Sequence, residues 1–179
     1  MAVSLVPAYL RLAASVAVFG GSIAPATTVH GSVSVTARLL EAHNKERALA
    51  GVPPLRWDER LSADARRWSE ELSRTGRLAH APEIASADSV VGENIWTGTA
   101  DRFSPEQMVD AWVREKKHFR PGVFPNISAT GRVSDVGHYT QVVWRGTKAV
   151  GCAIAPGVDG EILVCRYSEG GNIYGEPVF

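Results

Sequence analysis

The fold is decided by the stretch Gly137-His138-Tyr139-Thr140-Gln141-Val142-Val143-Trp144, which joins a histidine to an aromatic and β-branched run. Such residues favour strands, so the composition predicts a strand over residues 139–144. The preceding segment 119–137 is rich in Pro, Gly and Ser, and its length is typical of a functional loop. We therefore expect His138 to lie at the mouth of a cleft fed by this loop. A lone histidine at a strand end, however, is more often a structural hydrogen-bonding residue than a ligand or a base.

Three further residues are candidates for chemistry, and each has a plain structural alternative. Glu93 lies between Gly92 and Asn94, where a carboxylate either caps backbone N–H groups or faces a site. Glu115 follows Trp112 by one helical turn, so it either borders the core-facing stripe or pairs with the basic residues beside it. His80 is placed in a loop just beyond a helix. Taken singly, none of them indicates a site.

Taken in order, the motifs around these residues are more specific. They are His43-Asn44-Lys45-Glu46-Arg47, Leu78-Ala79-His80, Gly92-Glu93-Asn94, Ala111-Trp112-Val113-Arg114-Glu115, Gly137 to Trp144 followed by Arg145-Gly146-Thr147, and Ile162-Leu163-Val164-Cys165-Arg166-Tyr167 followed by Gly171-Asn172-Ile173. Together they resemble the signatures of the CAP superfamily, which comprises cysteine-rich secretory proteins, antigen 5 and pathogenesis-related 1 proteins, also called SCP domains. The resemblance covers residues 36–179. Glu169 departs from it, because the family usually has Pro there, and this loosens the match around the tail.

The resemblance implies an α-β-α sandwich with a central cleft lined by His80, Glu93, Glu115 and His138. Two imidazoles and two carboxylates suit a divalent metal such as zinc, with His80 and His138 as ligands and a glutamate orienting water or a ligand proton. The same four residues also suit acid–base chemistry. The family places the motif around His43 structurally, so we expect that histidine to pack and hydrogen-bond within its helix.

Capping and breaking signals place the regular elements independently of the resemblance. Ser104, Pro105 and Gln107 form a capping box with proline at the first helical position, which predicts a helix through Trp112. Apolar spacing predicts helices over 36–50 and from the cap Asp58 to about residue 73, and strands over 149–155 and 161–167. Residues 77–99 are predicted to be irregular. Helices first and strands last indicate an α+β class, with the helices packed against a small antiparallel sheet. The three-layer α-β-α arrangement is what the resemblance adds to this.

The two cysteines, Cys152 and Cys165, flank a Pro-Gly-Val-Asp-Gly turn between two strand-like runs. A hairpin centred between Val158 and Asp159 would place them directly opposite each other, within reach of a disulfide. In an oxidising compartment we expect them to be bonded. Two buried free thiols are the alternative.

The N-terminus differs in composition from the rest of the chain. An apolar run over residues 12–23 is followed by Ala24-Pro25-Ala26, a small-x-small pattern typical of signal peptidase sites. We interpret residues 1–26 as a secretory signal peptide, 27–35 as a lead-in and 36–179 as the CAP/SCP domain, with an uncleaved N-terminal anchor as the alternative. The expected location is extracellular, or the periplasm or cell envelope of a bacterium, without a stable membrane span after cleavage.

The charge composition of the chain argues against only one class of partner. Nineteen basic and nineteen acidic residues leave no basic field for a nucleic acid. We expect a monomeric binding protein, whose ligand the family resemblance extends to sterols, fatty acids or phospholipids. The apolar residues of the loop 119–127 either form a rim for such a ligand or fold back on the core. A metal-dependent hydrolase or protease acting through the His/Glu cleft, and an interaction module with an idle cleft, are the alternatives.

Overall fold

The computed structural model describes residues 33–82, 91–158 and 160–179. The predicted signal peptide and most of the lead-in lie outside the described residues, as does Asp159 in the predicted turn. The elements in chain order are α1 (Val35–Ala50), β1 (Arg56–Trp57), α2 (Glu59–Thr75), β2 (Val91–Gly98), α3 (Pro105–Val113), α4 (Gly137–Val143), β3 (Ala149–Pro156) and β4 (Glu161–Ser168). Two short 3₁₀ helices, Arg114–His118 and Val133–Asp135, lie between α3 and α4.

The second and third helices, α2 and α3, begin where their predicted caps lie. The Asp58 side chain accepts from the backbone N–H groups of Arg60 and Leu61, at 2.9 and 3.1 Å. In α3, Ser104 and Gln107 form both halves of the capping box. Glycine in the left-handed region ends α1 and α2, with φ of 70° at Gly51 and 66° at Gly76.

The sheet has the strand order β1-β3-β4-β2 and is mixed. β4 pairs antiparallel with both β3 and β2, whereas the two-residue strand β1 runs parallel to β3. The expected antiparallel sheet therefore gains one short parallel strand. The prediction of irregular structure over 77–99 was wrong for β2, which pairs along its whole length with β4. β2 carries glycine and polar residues that disfavour strands, and its long-range pairing with β4 overrides that local preference.

The predicted strand over 139–144 is wrong, because this stretch forms helix α4. The carboxylate of Glu115 accepts from the backbone N–H groups of His138 at 3.0 Å and Tyr139 at 3.1 Å, and so caps the start of the helix. Tyr139, Val142 and Val143 are fully buried and follow helical spacing, which directs one face of α4 into the core. A cap from a distant residue and burial of this face decide the conformation against the local strand preference.

The sheet is covered by helices on both faces, which confirms the three-layer α-β-α sandwich. Successive side chains of β4 point to opposite faces of the sheet and so pack into two different hydrophobic clusters. Ile162 and Val164 pack with Ala65 and Leu72 of α2. The residues between them face the larger cluster that α1, α3 and α4 supply, whose members include Leu39, Val109, Trp112, Tyr139, Leu163, Cys165 and Tyr167.

The loop 119–127 folds back on this larger core, the second of the two arrangements considered for it. Phe124 and Ile127 are buried, and Phe119 is half-buried with its ring centroid 5.4 Å from that of Tyr139. Val123 is exposed. The loop therefore contributes to the core and does not provide an apolar rim for a ligand.

Cys152 and Cys165 form a disulfide bond, with the two sulfurs 2.05 Å apart. They are directly opposite each other in the β3–β4 register, as the hairpin centred between residues 158 and 159 predicts. Both residues are buried. The bond therefore joins the two central strands of the sheet inside the core.

Candidate functional site

Glu93 and His80 form the first of two carboxylate–imidazole pairs. Nδ1 of His80 lies 2.6 Å from Oε1 of Glu93, and the backbone N–H of Ala81 donates to the same oxygen at 3.3 Å. An ionised carboxylate only accepts hydrogen bonds, so Nδ1 is the donor and Nε2 is left free of the pair. The Glu93 side chain is fully buried, whereas that of His80 is 55% exposed. Glu93 therefore holds the His80 ring through Nδ1, while much of the ring remains exposed to solvent.

Arg166 holds the other oxygen of Glu93. Its Nε lies 3.0 Å from Oε2, and both side chains are buried. The two residues are directly opposite each other on β4 and β2. Sequence reasoning missed Arg166, although it alternates with Ile162 and Val164 on the face packed against α2, where a charge requires a buried partner.

Glu115 and His138 form the second pair. Nδ1 of His138 lies 2.6 Å from Oε1 of Glu115, while Oε2 accepts the two backbone N–H groups at the start of α4. The Trp112 ring is stacked on the imidazole, with 6.3 Å between centroids and 15° between planes. Glu115 does not pair with its basic neighbours; Lys116 bonds instead to Glu46, at 2.7 Å. The resemblance gave both residues as cleft residues and Trp112 only as part of a motif, whereas the structure stacks the Trp112 ring on His138.

The two pairs reach one pocket from opposite faces of the sheet. Glu93 lies on the β2 face shared with α2, and His138 comes from α4 on the other side. A pocket of about 230 Å³ at the edge strand β2 is lined by both histidines, with Leu78, Ala79, Ile95, Trp96 and Thr97. The structure therefore brings His80, Glu93, Glu115 and His138 together around the edge strand. Within the described ranges, neither histidine Nε2 has a hydrogen-bond partner.

The side chains around the pocket meet part of the coordination requirements of a metal ion. Histidines that bind metals usually donate their second ring N–H to a carboxylate, as His80 and His138 do through Nδ1. The carboxylates are occupied in this way and are not themselves directed at the pocket. Among residues 33–82, 91–158 and 160–179, no three His, Cys, Asp or Glu side chains form a group that could hold a metal. The residues present fit a two-histidine site whose other positions would be taken by water or ligand.

A buried hydrogen-bond chain supports His138 from behind. The side-chain amide of Asn94 donates to the His138 carbonyl at 3.1 Å and to the Tyr167 hydroxyl at 3.3 Å. Nδ1 of His43 donates to the Leu39 carbonyl, so Nε2 accepts from Tyr167 at 2.8 Å. Burial lowers the pKa of His43 to about 4 and raises the pKa of Tyr167. His43 is thus a neutral structural residue that ties α1 to β4, in agreement with its expected role.

The C-terminal tail that begins at Glu169, where the sequence departs from the family pattern, is held by hydrogen bonds to residues 140, 141 and 147. The Thr147 hydroxyl donates to the Glu169 carbonyl at 2.7 Å. Oε1 of Gln141 accepts the Gly171 N–H at 2.9 Å, and the Thr140 hydroxyl donates to Oδ1 of Asn172 at 2.6 Å. Side chains of α4 therefore hold the tail beside the histidine pocket.

Comparisons with known proteins agree with this architecture. Residues 40–167 match the family model described as the cysteine-rich secretory protein family, CAP. The chain is 37% identical over 141 residues to pathogenesis-related protein 1C of Nicotiana tabacum, covering 78% of each chain. It is 36% identical over 142 residues to the Golgi-associated plant pathogenesis-related protein 1 of Homo sapiens, covering 79% of this chain and 86% of the relative. The crystal structure of NaASP2 with Zn²⁺ superposes with a TM-score of 0.69 at 21% identity, over 84% of this chain and 88% of that one.

Proposed function

Because the chain belongs to the cysteine-rich secretory protein (CAP) family, we propose that it is a secreted binding protein whose His80 and His138 hold a divalent cation. One observation carries this proposal. Each imidazole is oriented by a carboxylate at 2.6 Å through Nδ1, while both rings line the same pocket. Zinc is the first ion to test, because it accepts two histidine ligands with water completing its coordination, and NaASP2, which shares the fold, was crystallised with Zn²⁺.

Secretion is supported by the leader-like composition of residues 1–26 and by the disulfide in the core. Disulfides form and persist in oxidising compartments. No helix within the described residues is long and apolar enough to cross a membrane.

Binding is favoured over hydrolysis by the way the two carboxylates are used. A general base must reach the water that it deprotonates. Glu93 already contacts His80, Ala81 and Arg166, and Glu115 contacts His138 and two backbone N–H groups. A metal-dependent hydrolase or protease is the alternative, and it requires one carboxylate to leave its histidine.

The ligand that we propose beside the metal is a sterol, a fatty acid or a phospholipid. A second pocket of about 360 Å³ shares Leu78 and Thr97 with the histidine pocket, and Leu78 is 56% exposed. The two pockets are therefore adjacent, and we propose that they act together as one groove with an apolar wall, which takes the place of the rim expected from the loop 119–127.

The metal proposal is tested by titrating zinc into the purified secreted protein by calorimetry. His80→Ala and His138→Ala are each expected to weaken zinc binding by at least about tenfold, since each removes one of two protein ligands. His118→Ala is the matched control, because His118 does not line the histidine pocket. Equal affinity in all four proteins would overturn the proposal.

The hydrolase alternative is tested on the same histidine variants, and the lipid groove is tested on one further variant, Leu78→Asn. Peptidase activity that is abolished by His80→Ala and by His138→Ala would favour the hydrolase alternative. Saturable binding of a fluorescent fatty acid that is lost in Leu78→Asn would support the apolar groove. Unchanged fatty-acid binding in Leu78→Asn would remove the groove as the lipid site.

A further inference from the structure

A basic pocket lies apart from the histidine pocket, along the 3₁₀ helix Arg114–His118. It has a volume of about 410 Å³. Its wall consists of Ala111, Arg114, Glu115, Lys117, His118, Thr130, Arg132, Ser134 and Asp135. Glu115 is the one residue that this pocket shares with the four cleft residues.

Two cations are held together on this helix without acidic partners. In a 3₁₀ helix the side chains at i and i+3 eclipse each other, which places Arg114 and Lys117 on the same side. Within the described part of the chain, neither side chain makes an ion pair or a hydrogen bond. Lys116, on a different side of the same helix, is bonded to Glu46. The side that faces the pocket therefore carries uncompensated positive charge.

The acidic groups of the pocket already have other partners. Asp135 accepts from Arg132 at 2.9 Å and from the Thr130 hydroxyl at 2.6 Å. The hydrogen bond from Arg132 is the main reason that the pKa of Asp135 is lowered. Both oxygens of Glu115 are occupied by His138 and by the start of α4. Neither carboxylate is paired with Arg114 or Lys117 within the described residues, and the three cations of the wall, Arg114, Lys117 and Arg132, outnumber its two carboxylates.

We propose that this pocket binds the phosphate group of a phosphate monoester. Arg114 offers a planar fork that matches two phosphate oxygens, and Lys117 offers a second charge for the same group. Ser134 lines the pocket and, among the described residues, its hydroxyl has no hydrogen-bond partner, so it can donate to a third oxygen. The volume leaves room for a small polyol attached to the phosphate. The ligand is therefore either a free polyol phosphate or the phosphate monoester headgroup of a phospholipid such as phosphatidic acid.

The decisive experiment measures binding of glycerol 3-phosphate to the purified protein by calorimetry at low ionic strength. Arg114→Gln combined with Lys117→Gln is expected to weaken binding by at least about tenfold, because charge-assisted hydrogen bonds to phosphate are lost. Arg60→Gln combined with Arg66→Gln is the matched control. It removes the same charge from exposed positions on α2, which packs on the other face of the sheet. Thermal unfolding of both double variants shows that they are folded.

A second arm separates the two sources of the phosphate. Sedimentation with phosphatidylcholine vesicles that contain phosphatidic acid presents the same glycerol phosphate group on a surface. Binding of free glycerol 3-phosphate that is lost only in the Arg114/Lys117 variant supports a soluble ligand. Binding to the vesicles alone, with the same selective loss, supports a lipid headgroup. Absence of binding in both arms, or an equal loss in the Arg60/Arg66 control, overturns the proposal.

Discussion

Arg166 and Glu93 form an ion pair inside the sheet, with Nε and Oε2 3.0 Å apart and both side chains excluded from solvent. The second oxygen of Glu93 binds Nδ1 of His80, whose ring is exposed at the pocket. The buried guanidinium of Arg166 therefore contacts the same carboxylate that orients His80 in the pocket. The pair connects the interior of the fold directly to the site.

Arg166→Met is expected to destabilise the protein by about 3–5 kcal/mol, because it leaves the Glu93 carboxylate buried without its cation. Adding Glu93→Gln to this variant is expected to recover part of the loss, since the uncompensated charge is then removed. Urea unfolding measures both changes. Arg38→Met, which breaks the partly exposed pair with Glu106, is the control and is expected to cost about 1 kcal/mol or less. Equal costs for the two arginine variants would contradict the role of burial.

The sequence predicted elements well where their signals are local. Ser104, Pro105 and Gln107 lie within four residues, and they set the start of α3 through contacts among themselves. The facing cysteines followed in the same way from the length of one hairpin turn. A local signal needs no knowledge of the rest of the fold.

Elements that depend on distant contacts were not predictable in this way. α4 was expected to be a strand because its composition favours one, yet its cap comes from Glu115, more than twenty residues earlier. β2 was missed because its pairing partner, β4, lies about seventy residues later in the chain. The four cleft residues were found only as an ordered set of motifs, whereas Arg166 and Trp112 acquire their roles from tertiary packing.

Glu115→Gln is expected to weaken zinc binding by about 10–100-fold, the usual effect of removing a group that orients a histidine ligand. The neutral amide has a single acceptor oxygen, and it cannot serve both the imidazole of His138 and the two backbone N–H groups. Zinc calorimetry measures the change. Asp110→Asn, an exposed change on the neighbouring helix α3, is the control. Wild-type zinc affinity in Glu115→Gln would separate this carboxylate from metal binding.

Stability is expected to fall as the pH decreases from about 6.5 to about 4 because of His43. Burial lowers its pKa to about 4, so in this range the unfolded chain binds a proton that the folded protein does not. The free energy of unfolding therefore rises with pH across this window by about 3 kcal/mol and is constant above it, as far as His43 contributes. Urea unfolding from pH 4 to pH 7 measures the slope. His43→Gln is expected to flatten it, and an unchanged slope in that variant would assign the pH dependence to other groups.

Replacing both Cys152 and Cys165 by alanine is expected to lower stability by about 3 kcal/mol, the entropy of closing a loop of this length. The fold should persist, because β4 keeps its antiparallel pairing with both β2 and β3 after the bond is gone. The bond constrains the unfolded chain, so its removal should also increase the dependence of stability on urea, since the unfolded state then exposes more surface. Lost packing of the two buried sulfurs would lower stability without changing this dependence. The urea slope of the double variant, compared with that of Ala153→Gly, a packing change in the same strand, therefore distinguishes a constraint on the unfolded chain from a cavity in the folded one.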